Sequence, residues 1–386
     1  MKGHLAVLAA GNFVIGTGAF LVAGVLPHMA TDLAVTIPAA GQLVTIYALT
    51  YAVASPILIT FASTTKRRPA LAAALLLYVI GNLLAAVAGS IALLFVARII
   101  TAFGAALFTP LAAVLAAELS PVERRARALS LVFVGFTVAN VAGVPLGTML
   151  GNNLGWRWAF ASLAGLGLAV AGMLLAMLPL TRGAGARSLA AVGNALRRPL
   201  VLSALSVALL QFAAQFVVYT YIAAILRNGG VFGDFGVFSI LLLLGSATIL
   251  GNLLGGWASD RWGPGRVITA VLLLLVPALA LFPLASHSAA LAGLDAFAWG
   301  MIGTAFQVPQ QHRMMSIPGE TPPIMLALNA SALYLGMAGG AALGGIVVRR
   351  VGLPALGLTG AALALMAVLL ASTVRIVPQP VAAKPG

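Results

Sequence analysis

Gly135-Phe-Thr-Val-Ala-Asn-Val-Ala-Gly143-Val-Pro145-Leu-Gly147-Thr-Met-Leu-Gly151 is apolar enough to lie in lipid, yet it carries four glycines and a proline. Glycines spaced by four leave bare backbone on one helical face, where another helix can pack closely. Pro145 lacks a backbone donor and tends to bend a membrane helix. The stretch predicts a spanning helix whose bend and close contact matter.

Composition places this helix in a membrane protein. The chain has 386 residues, 62% of them hydrophobic and only 7% charged, where a soluble domain carries roughly 25% charge. With no cysteine, disulfides and thiolate metal sites are excluded. The four histidines, His4, His28, His287 and His312, are scattered near expected helix ends with no metal-ligand spacing. No glycine-rich phosphate loop or Ser/His/Asp set stands in a credible context, so neither ATP drive nor enzymatic catalysis is expected. No cofactor is expected either. The first apolar run begins near Leu5 and reads as a retained helix, not a signal peptide.

A spanning helix needs about 20 apolar residues. Twelve such runs follow from the sequence: 5–27, 39–62, 69–89, 91–118, 128–150, 158–180, 200–225, 235–258, 266–286, 288–314, 322–347 and 353–376. The longest polar interruption, 181–199, holds Arg182, Arg187, Arg197 and Arg198. It divides the chain into an N-terminal six-helix bundle, 1–180, and a C-terminal one, 200–386. Sixteen lysines and arginines fall on the termini and the loops of one side, against Arg157, Arg227, Arg349 and Arg350 on the other. This bias predicts that both termini are cytoplasmic. It also accounts for the net charge of +14 without nucleic acid as a partner.

The halves read as a repeat. Ala62-Ser63 matches Ala258-Ser259, Gly104 to Pro110 resembles Gly303 to Pro309, and Leu146-Gly147 with Gly155 matches Leu343-Gly344 with Gly352, at offsets of 196, 199 and 197. Gly135–Gly151 thereby gains a counterpart in Gly336-Met-Ala-Gly-Gly340-Ala-Ala-Leu-Gly344-Gly345, and both are expected where the halves meet. Parallel six-helix halves are a transporter architecture with a substrate site near mid-membrane between them.

In these features the sequence resembles the major facilitator superfamily. More narrowly, it resembles its twelve-helix drug:proton antiporters, in the arabinose-efflux-permease and purine-nucleoside-efflux-like branch. The family's loop motif reads Gly256-Trp-Ala-Ser-Asp260-Arg261-Trp-Gly263, with a degenerate copy around Arg67 and Arg68. The helix-4 motif survives as Arg98-Ile-Ile-Thr-Ala-Phe-Gly104-Ala-Ala106, and the branch's helix-5 form as Gly143-Val-Pro145-Leu-Gly147-Thr148. The resemblance implies an all-α membrane protein with the major-facilitator fold, twelve transmembrane helices in two pseudo-symmetric bundles. It implies proton-coupled efflux of small amphipathic, drug-like compounds by a monomer in the bacterial cytoplasmic (inner) membrane, with the proton gradient as energy source. Many relatives carry a helix-1 glutamate that takes part in coupling; Ala19 stands here. A facilitator without coupling, or a narrow exporter of a sugar, nucleoside or other metabolite, therefore stays open.

Ionisable groups inside a membrane are expensive and mark function by default. Arg98 and Asp295 lie well inside the fourth and tenth runs, roughly 10–12 Å from the outer end at 1.5 Å per residue. The resemblance puts those helices on the central cavity, so the two can pair across it or through substrate. Asp295 is the first candidate for proton carrier, because burial disfavours a charged carboxylate and a nearby arginine favours it. Asp32 is a weaker one. Candidates for substrate contact are Asn12, Thr17, Phe20, Tyr47, Tyr51, Arg98, Gln211, Gln215, Tyr219, Asp295, Trp299 and Gln307; Gln211, Gln215 and Tyr219, four apart, share a face. Amides, phenols and aromatic walls suit amphipathic molecules, while the same groups can serve as interhelical glue. Gating is expected of Gly256, Asp260, Arg261, Gly263, Arg266, Arg67 and Arg68, with Gly143, Pro145 and Gly147 at the helix-5 bend. Glu118 and Glu123 read as solvated helix ends.

Overall fold

Long runs of Leu, Ala and Val favour helix, and lipid leaves their backbone groups no partner except their own chain. The computed structural model describes residues 2–62, 65–121, 124–181, 189–317 and 322–373. Glu123, Arg182 and Arg187 lie outside the described residues. Helices α1 (Lys2–Asp32), α2 (Ile37–Ala62), α3 (Arg67–Ala86) and α4 (Ile91–Glu118) are the first four spans. The fifth is α5 (Arg125–Val138), a π-helical turn (Ala139–Gly143) and α6 (Val144–Leu154); α7 (Trp156–Met177) is the sixth. A short helix α8 (Leu189–Leu196) leads to α9 (Pro199–Tyr219) and α10 (Ile222–Asn228), together the seventh. Then come α11 (Asp234–Trp262), α12 (Pro264–Ala285), the broken pair α13 (Ala289–Ala305) and α14 (Gln307–Met315), α15 (Pro322–Arg350) and α16 (Ala355–Thr373). Twelve helices among the described residues are long and apolar enough to cross a membrane, and they coincide with the twelve runs.

Punctuation residues set the ends. Ser90 caps α4 by accepting from the Leu93 N–H at 3.3 Å, a favoured N-terminal cap. Gly155 and Gly352 sit at equivalent junctions of the two halves with φ of +102° and +107°. Only glycine adopts such a backbone without strain. That shared requirement explains why the repeat is visible at those two positions.

The bend in the fifth span lies just before its proline. Pro145 cannot donate to the carbonyl four residues back, and its ring crowds that carbonyl. The chain answers with the wider π turn at Ala139–Gly143, and Asn140 Nδ2 donates to the Phe136 carbonyl at 3.0 Å. Pro309 similarly follows the break between α13 and α14, whereas Pro110 lies inside an unbroken α4.

Both glycine rows lie on helices where the halves meet, as the sequence suggested, but most of their glycines pack within their own half. A Cβ at Gly135 would meet the Ala9 carbonyl at 2.0 Å, at Gly143 Thr17 Oγ1 at 2.0 Å, and at Gly151 Val25 at 2.7 Å. All three neighbours belong to α1, so this row seats the fifth span on the first helix of its own half. Its counterpart does the same: Gly336 and Gly340 would meet the Leu209 and Ala213 carbonyls of α9 at 2.3 and 2.5 Å. Contact between the halves is made beside the first row and at the last glycine of the second. Gly245 of α11 abuts the Asn140 carbonyl in the π turn, and Gly345 of α15 abuts Gln42 of α2.

Further contacts between the halves gather from mid-span to the end opposite the termini. The ring of Tyr221 covers Gly41 of α2, and His28 of α1 meets both Asp234 and Arg227. Tyr51 of α2 stacks on Tyr334 of α15.

Candidate functional site

Two clusters meet near one turn of α1. The first is aromatic and amide. Phe20 lies 5.9 Å from Phe216 and 6.1 Å from Tyr219, ring centre to ring centre, which links α1 to α9 across the halves. Phe212 stacks on Phe216 at 5.5 Å, Tyr219 meets Trp299 of α13 edge-on at 6.4 Å, and Phe282 of α12 backs Trp299 at 5.2 Å. Trp299 Nε1 donates to Gln215 Oε1 at 3.1 Å. Gln211 Nε2 donates to the Gly303 carbonyl at 3.1 Å, and its Oε1 is buried without a partner. Gly303 leaves the room: a Cβ there would lie 2.1 Å from Gln215 Oε1. Phe20, Phe212 and Gln215 stay partly exposed deep within their spans.

The second cluster surrounds Arg98, which is 1% exposed. Its Nη1 donates to the Gly18 carbonyl at 3.0 Å, and its guanidinium lies 4.1 Å from the centre of the Tyr47 ring. Such a cation–π contact favours the charged group but leaves its N–H groups free. Nε and Nη2 of Arg98 are buried without partners, and so is the Tyr47 hydroxyl. Tyr78, whose hydroxyl donates to the Val14 carbonyl at 2.9 Å, and Tyr334 complete the surroundings.

The other expected residues divide by position. Asp295 is half-buried on α13 with its Oδ2 unpartnered, and no ion pair joins it to Arg98. Of the two pairings the sequence suggested, the direct one is therefore not formed in this structure. Asn12 is fully buried, donating to the Val132 carbonyl and accepting from Thr109, so it ties α1, α4 and α5. Thr17 donates to the Phe13 carbonyl and packs on Gly143. Both sit in helix seams, where they act as glue. Gln307 begins α14 at the break and is partly exposed.

Asp32 accepts from Arg157 at 2.6 Å and from Trp156 at 3.2 Å. Arg157 also donates to the Ala88 carbonyl at 2.8 Å, so Asp32 pins helix ends rather than facing the interior. Arg67 is buried and grips Glu118 with Nε and Nη2, at 3.2 and 2.8 Å. Glu118, exposed at the last residue of α4, is thus a solvated helix end that also holds a partner. Arg68 donates to the Leu178 carbonyl. Asp260, Arg261 and Arg266 are exposed, Gly256 is partly exposed, and Gly263 turns α11 into α12 with φ +81°.

Sequence reasoning missed Tyr334, Tyr78, Phe216 and the His28–Asp234–Arg227 group. Aromatic residues at helical spacing give no sign of which neighbour they meet. The polar trio falls on three separate helix ends.

The Major Facilitator Superfamily model matches residues 8–321. The chain is 37% identical to the inner membrane transport protein YdhP of Escherichia coli K12 over 374 residues, 95% of each chain. It is 32% identical to the uncharacterized MFS-type transporter YbcL of Bacillus subtilis over 375 residues, 97% of this chain and 96% of that one. Among solved structures, a bacterial homologue of the human lysosomal transporter Spinster superposes with a TM-score of 0.80 at 16% identity, covering 96% and 95% of the two chains. That likeness supports the fold. With twelve membrane-spanning helices and these relatives, the chain belongs to the Major Facilitator Superfamily and is a multi-pass membrane transporter, not an enzyme.

Proposed function

We propose that the protein exports small amphipathic organic compounds across the bacterial inner membrane by alternating access, driven by the proton gradient. The carrying observation is the aromatic and amide wall that α1, α9 and α13 build between the halves, from Phe20, Tyr219, Gln215 and Trp299. Apolar rings with a few oriented polar groups are the chemistry of a site for such molecules. Halves 1–180 and 200–386, joined by 181–199, rock about it, and the lysine and arginine bias sets both termini in the cytoplasm. Asp295, half-buried with an unpartnered oxygen, is the proton carrier. The inner-membrane name of the Escherichia coli relative supports the location.

The test is dye export from proteoliposomes. Wild type should move a neutral amphipathic dye against its gradient only while a pH gradient is maintained, and Gln215→Ala or Trp299→Ala should reduce the rate severalfold. Loss of active export in Asp295→Asn, with downhill exchange preserved, supports coupling through that carboxyl. Equal export by wild type and Asp295→Asn removes the role. A second reading, an uncoupled facilitator, is favoured by Ala19, which cannot carry a proton where many relatives have a glutamate. Under it, dissipating the pH gradient leaves wild-type transport unchanged.

A further inference from the structure

We infer that Arg98 is a receptor for an oxyanion, and that the transported compound carries a carboxylate or phosphate group there. The inference rests on the exporter reading for the word "transported"; the anion site itself does not. The chain has seven acidic residues: Asp32, Glu118, Glu123, Asp234, Asp260, Asp295 and Glu320. Asp32 is paired with Arg157, Glu118 with Arg67, and Asp234 with Arg227 and His28. Asp260 is exposed at the end of α11, and Asp295 makes no ion pair with Arg98. Glu123 and Glu320, outside the described residues, belong in sequence to the connections after the fourth and tenth runs. Among the described residues, then, no carboxylate pairs with this buried guanidinium at mid-span, a costly arrangement in a membrane unless something else supplies the charge.

The free edge has a definite shape. Nε and Nη2 of a guanidinium point their N–H groups in parallel and fit the two oxygens of one carboxylate or phosphate. Within this molecule Arg67 shows that edge filled, with Nε and Nη2 on the two oxygens of Glu118. In Arg98 the same two atoms are buried and empty-handed, while Nη1 is anchored to the Gly18 carbonyl. The Tyr47 hydroxyl is a further buried polar group without a partner in the same cluster. Position then connects the charge site to the apolar wall. Gly18 holds Arg98 and Phe20, two residues on, belongs to the aromatic cluster. The two clusters are thus neighbours along α1, although residues two apart face different sides of a helix. In this conformation the edge is closed off. Arg98 is 1% exposed, and nearby Tyr51 of α2 stacks on Tyr334 of α15, so a ligand reaches the edge only when the surrounding helices move apart.

The probes are benzoate, phenyl phosphate, chloride and the neutral benzamide, titrated calorimetrically into the purified full chain in nanodiscs at constant ionic strength. Benzoate or phenyl phosphate should bind wild type at least about tenfold more tightly than benzamide or chloride. Arg98→Ala should erase the preference. Arg98→Lys, which keeps the charge and loses the fork, should retain only part of it, and Tyr47→Phe should weaken oxyanion binding while leaving benzamide unchanged. Equal binding of benzoate and benzamide to wild type, which needs no variant to fold, overturns the inference. Chloride matching benzoate overturns the oxyanion assignment as well. Export of a carboxylate-bearing amphipathic dye and of a neutral one from proteoliposomes separates this from the exporter reading. Oxyanion binding without any export leaves the site standing and sinks the reading. Export without oxyanion preference does the reverse.

Discussion

The ring of Tyr51 lies on that of Tyr334, centroids 3.7 Å apart and planes within 18°, and the pair fastens α2 of one half to α15 of the other. An aromatic pair adds about 0.5–1.5 kcal/mol beyond its buried area. Tyr334→Leu should therefore shift the conformational equilibrium away from this state by roughly twofold to tenfold. Because the chain has no cysteine, spin labels on Thr36→Cys and Val231→Cys, both exposed at the end opposite the termini, report that end alone. A longer distance component should grow in Tyr334→Leu; an unchanged distribution would show that the stack does not hold the halves together.

A second fastening lies at the same end. Asp234 of α11 meets Arg227 of its own half and His28 of the other. All three are about one-third exposed, so the group contributes only about 0.2–1 kcal/mol. Asp234→Asn should open that end slightly, and the opening should be mimicked by raising salt on wild type, since screening weakens such contacts. The same labels measure both, and salt insensitivity in wild type would argue against an ionic latch.

Asn12 and Gln215 should separate stability from recognition. Asn12 bridges the Val132 carbonyl and Thr109 in a dry seam, so Asn12→Ala strands those groups at a cost of about 1–3 kcal/mol. It should lower the melting temperature while substrate preference stays as in wild type. Gln215 is partly exposed and meets Trp299; Gln215→Ala should keep the melting temperature and change which compounds are moved. A reversal of these two phenotypes would exchange their assignments.

Much of the architecture could be read from the chain, because lipid enforces it. Apolar length and the repeated junction glycines Gly155 and Gly352 report constraints local to each span. The partners of the spans were less visible. The Gly135–Gly151 row announced a close contact, but nothing in its spacing says that the contact is α1 and not the opposite half. Arg98 and Asp295 were each conspicuous as buried charges, yet their separation depends on which way two distant helices turn. Tyr334 gave no signal at all, since one tyrosine in a glycine-rich helix carries no periodicity to read.

The two kinds of glycine contact give opposed expectations. Gly245 of α11 faces the other half: a Cβ there would lie 2.1 Å from the Asn140 carbonyl and 3.1 Å from the Val141 Cα. These are backbone atoms of the π turn and cannot rotate away, so Gly245→Ala obstructs this conformation without disturbing the packing within either half. Gly143 faces its own half, against Thr17 Oγ1 and Phe13 of α1. Gly143→Leu should therefore damage the N-terminal bundle in every conformation. In thermal unfolding, Gly143→Leu should lower the melting temperature by several degrees and reduce yield. Gly245→Ala should melt near wild type yet lengthen the Thr36→Cys to Val231→Cys distance and slow transport. If Gly245→Ala kept the wild-type distance distribution, close approach of α11 to the π turn would not be what limits how far the halves come together.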